Sequence, residues 1–186
     1  MQIEECVNLL LTVGALKRLP RTGWRLAGIE NCESVADHSF RVAIVALLLG
    51  DLVPGVNRER LLRMALVHEL PESLITDLPW SSVNHLGKEA KQQAERSAFR
   101  ALATAGTPAD DWRALWEEFE AGHTAEARLA RAADRLELLL QAYEYERTGY
   151  RDLDSFWRLG DRDHQGFEVV GRLFEELAHR RSALGQ

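Results

Sequence analysis

The residues best suited to chemistry are concentrated in one short stretch. Between His68 and Asp77 the chain reads H-E-L-P-E-S-L-I-T-D, so one histidine and three carboxylates fall within ten residues that are otherwise largely apolar. Two more candidates lie elsewhere: His38, next to Asp37, and Asp134, between Ala133 and Arg135 in the apolar half of a long helical pattern. His38, His68, Glu69 and Asp134 together offer two imidazoles and two carboxylates, carried by three helices whose apolar stripes must pack. A mixed nitrogen and oxygen set of this kind suits Mn, Fe, Co or Zn, whereas an all-oxygen set suits Mg or Ca. Each residue also has an ordinary structural explanation. A lone helical histidine is commonly a satisfied core residue, and Asp134 can pair with Arg131 or Arg135.

The remaining acids have a role beside such a centre. Glu72 follows His68 by four residues and shares its face if a helix survives Pro71, and Asp77 lies just beyond. A carboxylate there can take a proton from water or serve the leaving group; the plainer alternative is a solvated Glu72 and an Asp77 that caps the next turn. Upstream, Arg21-Thr22-Gly23-Trp24 is followed by Arg25 and preceded by Lys17-Arg18. A guanidinium fork matches phosphate oxygens and an indole can cover a base or sugar. Equally, Trp24 can be a hydrophobic plug among surface cations.

The elements that must position these residues read as helices. Apolar residues at Val7, Leu10, Leu11, Val13, Ala15 and Leu16 give a helix over 3–18 that stops before Pro20, and residues 20–32 read as a loop. Ser34 caps the next helix, with Asp37 in the reciprocal position of a capping box; the apolar run 42–49 predicts burial on most sides, and Gly50 closes the helix. Asn57 caps a third helix that ends or kinks at Pro71. After a short loop at Pro79-Trp80, helices are expected over 88–104, 107–122 (started by Thr107-Pro108), 124–147 and 163–179, with 150–162 irregular or briefly helical. Trp112, Trp116 and Phe119 have near-helical spacing and fit either a core or an interface. No stretch alternates as a strand would. The expected fold is all-α, one helical bundle of six or seven helices.

Composition narrows the function. A chain of 186 residues with 28% charged residues fits one packed domain. The net charge of −6 argues against a nucleic-acid backbone as partner, although a local cation still allows a small phosphorylated substrate. The longest apolar run is too short to span a membrane, and the N-terminus lacks signal-peptide features, so the expected location is the cytoplasm. Cys6 and Cys32 read as ordinary thiols.

The arrangement His38, His68-Glu69 and Asp134 resembles the HD-domain metal-dependent phosphohydrolases, whose pattern is His, His-Asp and a distant Asp. Several longer stretches are similar to the 5'-deoxynucleotidase branch that contains the HD-domain-containing 2 proteins: K-R-L-P-R-T-G-W (17–24), E-S-V-A-D-H (33–38), L-V-H-E-L-P-E (66–72), D-L-P (77–79) and L-L-Q-A-Y-E-Y-E (139–146). The similarity covers roughly residues 4–175, within a single HD domain taken as 1–186. It implies release of phosphate from deoxyribonucleoside 5'-monophosphates with a divalent metal, often Co or Mn, with Mg, Fe or Zn as alternatives. It further implies a homodimer, His38, His68, Glu69 and Asp134 as ligands, Glu72 and Asp77 as catalytic acids, Trp24 against the sugar, and Arg21 on the phosphate, with Arg25 or Arg18 as alternatives. Related proteins of this fold act on nucleoside triphosphates or modified nucleotides, for which Lys88 and Lys91 are candidate contacts. The departure is Glu69 in place of the family Asp, one methylene longer, which also raises the reading of a metal- or nucleotide-binding adaptor without turnover.

Overall fold

The computed structural model describes residues 3–103, 108–160 and 165–184. Among these residues the chain is all-α. Helix α1 (Ile3–Val13) runs into a 3-10 segment (Gly14–Arg18), followed by α2 (Thr22–Leu26), α3 (Val35–Leu52), α4 (Arg58–Val67), α5 (Glu72–Ile75), α6 (Trp80–Leu86), α7 (Lys88–Leu102), α8 (Ala109–Ala121), α9 (Ala125–Arg147), α10 (Asp154–Gly160) and α11 (Glu168–Ala183). Extended backbone pairs only in an isolated antiparallel bridge between Pro20 and Ser34 among the described residues.

The expected six or seven helices are too few: the described residues form eleven α-helical segments. The additions are short. Helices α2, α5, α6 and α10 have 5, 4, 7 and 7 residues, less than two full turns, so an apolar stripe cannot repeat within them and periodicity does not reveal them. Residues 20–32 and 79–87, read as loops, therefore contain α2 and α6. Helix α11 starts at Glu168 rather than at 163; Asp163, Thr107 and Thr104 lie outside the described residues.

The chain divides into two compact units, residues 1–39 with 67–117 and residues 40–66 with 118–186. In the first, α5 packs against α7, the 3-10 segment and α1. Phe99 and Trp116 are buried there with ring centroids 5.6 Å apart. In the second, α9 carries α10 and α11, and Leu129, Leu139 and Leu153 are almost fully buried. The expected burial of α3 on most sides does not hold within the chain: Phe40 is 68% exposed and Ile44, Leu47 and Leu48 are 45–49% exposed.

Local chemistry explains the elements around the candidate residues. At the start of α3 the Ser34 N–H donates to Asp37 Oδ2 (2.9 Å) and the Asp37 N–H donates to Ser34 Oγ (3.1 Å), a reciprocal box that fixes the turn carrying His38. The Arg21 N–H donates to the Glu33 carbonyl (3.0 Å) and the Val35 N–H to the Leu19 carbonyl (2.8 Å), so the arginine loop is stitched to that same helix start. Helix α4 stops at Val67, well before Pro71. Pro71 has no N–H to offer, and tight turns take over: Leu70 N–H to Val67 O (3.2 Å) and Glu72 N–H to Glu69 O (3.1 Å) lead into α5.

Candidate active site

His38, in the first turn of α3, and His68, just past α4, are both buried. Their rings lie 5.5 Å apart with planes 56° from parallel. Glu69 Oε1 is 3.5 Å from His38 Nε2 and 3.7 Å from His68 Nε2. Neighbouring donors around a four-coordinate ion with bonds of about 2.1 Å are separated by about 3.4 Å, so these contacts have the spacing of ligands around a common centre rather than that of hydrogen bonds. His38, His68, Glu69 and Asp134 each offer one donor atom, and all four atoms lie within 4.8 Å of one another. Two imidazoles and two carboxylates at this spacing fit a divalent ion of the Mn, Co, Fe or Zn type.

Beside this set sits an acidic side. Glu72 is 3% exposed, and its Oε2 is buried without a hydrogen bond among the described residues. Burial, reinforced by the charges of Glu69 and Asp77 and opposed by Arg21 and Lys91, pushes its carboxyl well above the usual carboxylate range. Asp77 is also buried, but it is engaged: the Thr22 N–H donates to Asp77 Oδ2 (2.5 Å) and the Thr22 hydroxyl donates to the Asp77 carbonyl (2.9 Å). The backbone that delivers Asp77 is strained, because Thr76 adopts φ 69°, ψ 166°, a region that only glycine enters without cost.

The cationic residues divide sharply. Arg21 reaches the centre, with its guanidinium donating to Glu69 Oε1 at 2.8 Å and standing 4.0 Å from Asp77 Oδ1. Lys91 pairs with Glu95 at 3.1 Å on α7. Its burial would lower its pKa, but the charges of Glu95, Glu69 and Glu72 outweigh that and hold it above the ordinary lysine value. Arg25 and Lys88 are exposed. Neither makes an ion pair with the acids of this site among the described residues. Trp24 is 1% exposed, and its indole N–H donates to Glu33 Oε1 (2.9 Å).

Three participants are absent from the sequence-based set: Thr22 as the donor to Asp77, Glu33 as the acceptor for Trp24, and Glu95 as the partner of Lys91. The last follows an i, i+4 rule and was readable from spacing. The other two join positions across irregular backbone, where no spacing rule applies.

The sequence matches the profile of the HD domain over residues 13–165. The 5'-deoxynucleotidase HDDC2 of Xenopus laevis is 36% identical over 193 residues, spanning 98% of this chain and 91% of that protein. The protein of the same name from Homo sapiens is 37% identical over 143 residues, 75% of this chain and 68% of that one. Among solved structures, a conserved hypothetical protein from Pyrococcus furiosus superposes with a TM-score of 0.80 at 36% identity, covering 95% of this chain and 99% of its own. A predicted metal-dependent phosphohydrolase from Magnetospirillum magnetotacticum superposes with a TM-score of 0.75 at 26% identity, covering 98% of this chain and 94% of its own.

Proposed function

The chain belongs to the HD-domain family, and from that membership we propose that it is a divalent-metal-dependent phosphohydrolase releasing orthophosphate from deoxyribonucleoside 5'-monophosphates. The observation that carries this reading is the convergence of donor atoms from His38, His68, Glu69 and Asp134, with Arg21 in contact with the same cluster. The substrate class comes from the relatives named 5'-deoxynucleotidase, of which the Xenopus laevis protein matches 98% of this chain and the Homo sapiens protein 75%. The profile match also spans segments of both compact units, which supports one HD domain.

In this reading His38, His68, Glu69 and Asp134 hold the cation, which when bound supplies Lewis acidity toward phosphate oxygens and water. The Arg21 guanidinium binds the phosphate oxygens and neutralises part of their charge. Glu72, buried and with its carboxyl raised, accepts a proton from the attacking water as the new phosphorus–oxygen bond forms. It returns a proton to the 5'-oxygen as the ester bond breaks. Asp77, held by Thr22, sets the approach of the nucleotide, and Trp24, buried and fixed through Glu33, packs behind the sugar side as a rigid support.

A triphosphate substrate would call for additional cations along the β and γ phosphates. Lys88 is exposed and Lys91 is already paired with Glu95, which favours the monophosphate. Product analysis with dAMP, dGMP and dATP tests the choice. Orthophosphate from the monophosphates is expected. Tripolyphosphate or stepwise release from dATP with no turnover of dAMP would replace this reading, and phosphate release unchanged in His68→Ala would favour the adaptor.

The same proposal extends to assembly and location. Phe40, Ile44, Leu47 and Leu48 place exposed apolar surface on successive turns of α3, a face suited to a homodimer. The net charge of −6 favours a small nucleotide over a nucleic acid as the partner. No helix among the described residues is long and apolar enough to cross a membrane, in keeping with a cytoplasmic enzyme.

A further inference from the structure

We propose that Glu69 is the positioning residue for the phosphate-binding guanidinium: its carboxylate links Arg21 to the cation site, and its length, one methylene beyond aspartate, lets one side chain serve both. This inference rests on the functional reading above and adds a role in substrate recognition.

The geometry places one oxygen at a junction. Glu69 Oε1 accepts from Arg21 Nη1 at 2.8 Å while lying 3.5 Å and 3.7 Å from the two histidine Nε2 atoms. The pair is shielded from water, with side-chain exposures of 16% for Arg21 and 13% for Glu69, so this charge-assisted bond is stronger than a surface ion pair. Asp77 is a poorer anchor for the guanidinium. Its Oδ1 stands 4.0 Å from Arg21 Nη1, beyond hydrogen-bond range, and its Oδ2 accepts from the Thr22 N–H.

The Arg21 backbone is already tied to the Glu33 carbonyl. The freedom that matters is therefore in the side chain, which Glu69 restrains. Aspartate at position 69 would withdraw the carboxylate by about one carbon–carbon bond, roughly 1.5 Å. It could then follow the histidines or the guanidinium, but not both.

The test uses the full-length protein with cobalt, comparing wild type, Glu69→Asp, Arg21→Lys and the double variant. Cobalt affinity is read from the visible absorption of the bound ion, orthophosphate affinity by calorimetry at saturating cobalt, and KM and kcat with dAMP. Glu69→Asp is expected to weaken orthophosphate at saturating cobalt by about tenfold, to lower cobalt affinity by a smaller factor, and to raise KM by a larger factor than it lowers kcat. The double variant should bind orthophosphate no more weakly than Arg21→Lys alone, because the two residues act as one unit. A second variant, Glu69→Gln, keeps the length and an acceptor for Arg21 while losing charge. At saturating cobalt it should hold orthophosphate more tightly than Glu69→Asp.

Orthophosphate affinity unchanged in Glu69→Asp, independent effects in the double variant, or weaker binding by Glu69→Gln than by Glu69→Asp would each overturn the proposal. So would a parallel loss of cobalt and phosphate in Glu69→Asp, since the length would then serve the cation alone. A wild-type protein that binds no cobalt would remove the metal-dependent reading itself, and this inference with it.

Discussion

Glu137 is fully buried and rests its carboxylate on the Arg41 guanidinium, with Arg41 Nε–H donating to Glu137 Oε1 at 2.9 Å. Arg41 spreads further along α9, donating to Glu144 Oε2 at 2.7 Å and to Gln141 Oε1. One side chain of α3 therefore engages positions 137, 141 and 144, which follow each other at helical spacing. His38 lies one turn before Arg41 on α3, and Asp134 one turn before Glu137 on α9. Arg41→Met would leave a buried carboxylate without its guanidinium, a change that costs about 3 kcal/mol or more. The expected drop in melting temperature is about 6–12 °C for a chain of this size. The double variant Arg41→Met/Glu137→Met should recover most of it. Thermal melts of the three proteins check this, and a single variant as stable as wild type would show that the network contributes little.

Thr76 tests whether strain is stored beside Asp77. A β-branched residue at φ 69°, ψ 166° costs about 1–3 kcal/mol. Thr76→Gly removes that cost, offset in part by about 0.4–1 kcal/mol of added unfolded-state entropy. The melting temperature should therefore rise by about 2–4 °C. A fall in melting temperature would mean that Thr76 makes compensating contacts worth more than the strain.

These two features mark the limit of sequence reading. The Ser34–Asp37 box was legible because both partners lie within one turn and their chemistry is reciprocal. His38, His68, Glu69 and Asp134 were expected to meet because the apolar stripes of their helices must pack and because their order resembles the HD pattern, and their donor atoms lie within 4.8 Å of one another. Arg41 and Glu137 are 96 residues apart, and both read as ordinary charges on their own helices. The backbone of Thr76 was hidden for a different reason: residue type suggests the sign of φ mainly where glycine or asparagine stands, and threonine points the other way. Helices α2 and α6 were hidden by their length. Burial of Trp24 was only half legible, since the sequence allowed a plug or a stacking surface and the structure places the indole at 1% exposure.

Glu72 links stability to pH with a definite sign. Its folded-state carboxyl is raised by burial first, and then by Glu69 and Asp77. A carboxyl raised on folding contributes stability that is fully present below its unfolded pKa, about 4.3, and is lost as pH rises through the folded value. From the unfolded value upward, burying this carboxyl therefore costs the fold more as pH rises. Glu72→Gln should melt higher than wild type at pH 7–8 in the presence of chelator, with the difference shrinking as pH falls toward 4. The same substitution should lower kcat by about 100-fold or more, as removal of a general base does. A variant that melts lower than wild type at pH 8 would contradict this account of Glu72.

The central claim is that His38, His68, Glu69 and Asp134 grip one divalent cation. Cobalt titration of wild type and Asp134→Ala, followed by visible absorption, measures this directly. The account predicts about one tightly held cobalt per wild-type chain, with a spectrum of mixed imidazole and carboxylate ligation, and an affinity reduced by at least about 100-fold in Asp134→Ala. Equal affinity in the two proteins, or no saturable binding by wild type, would contradict it.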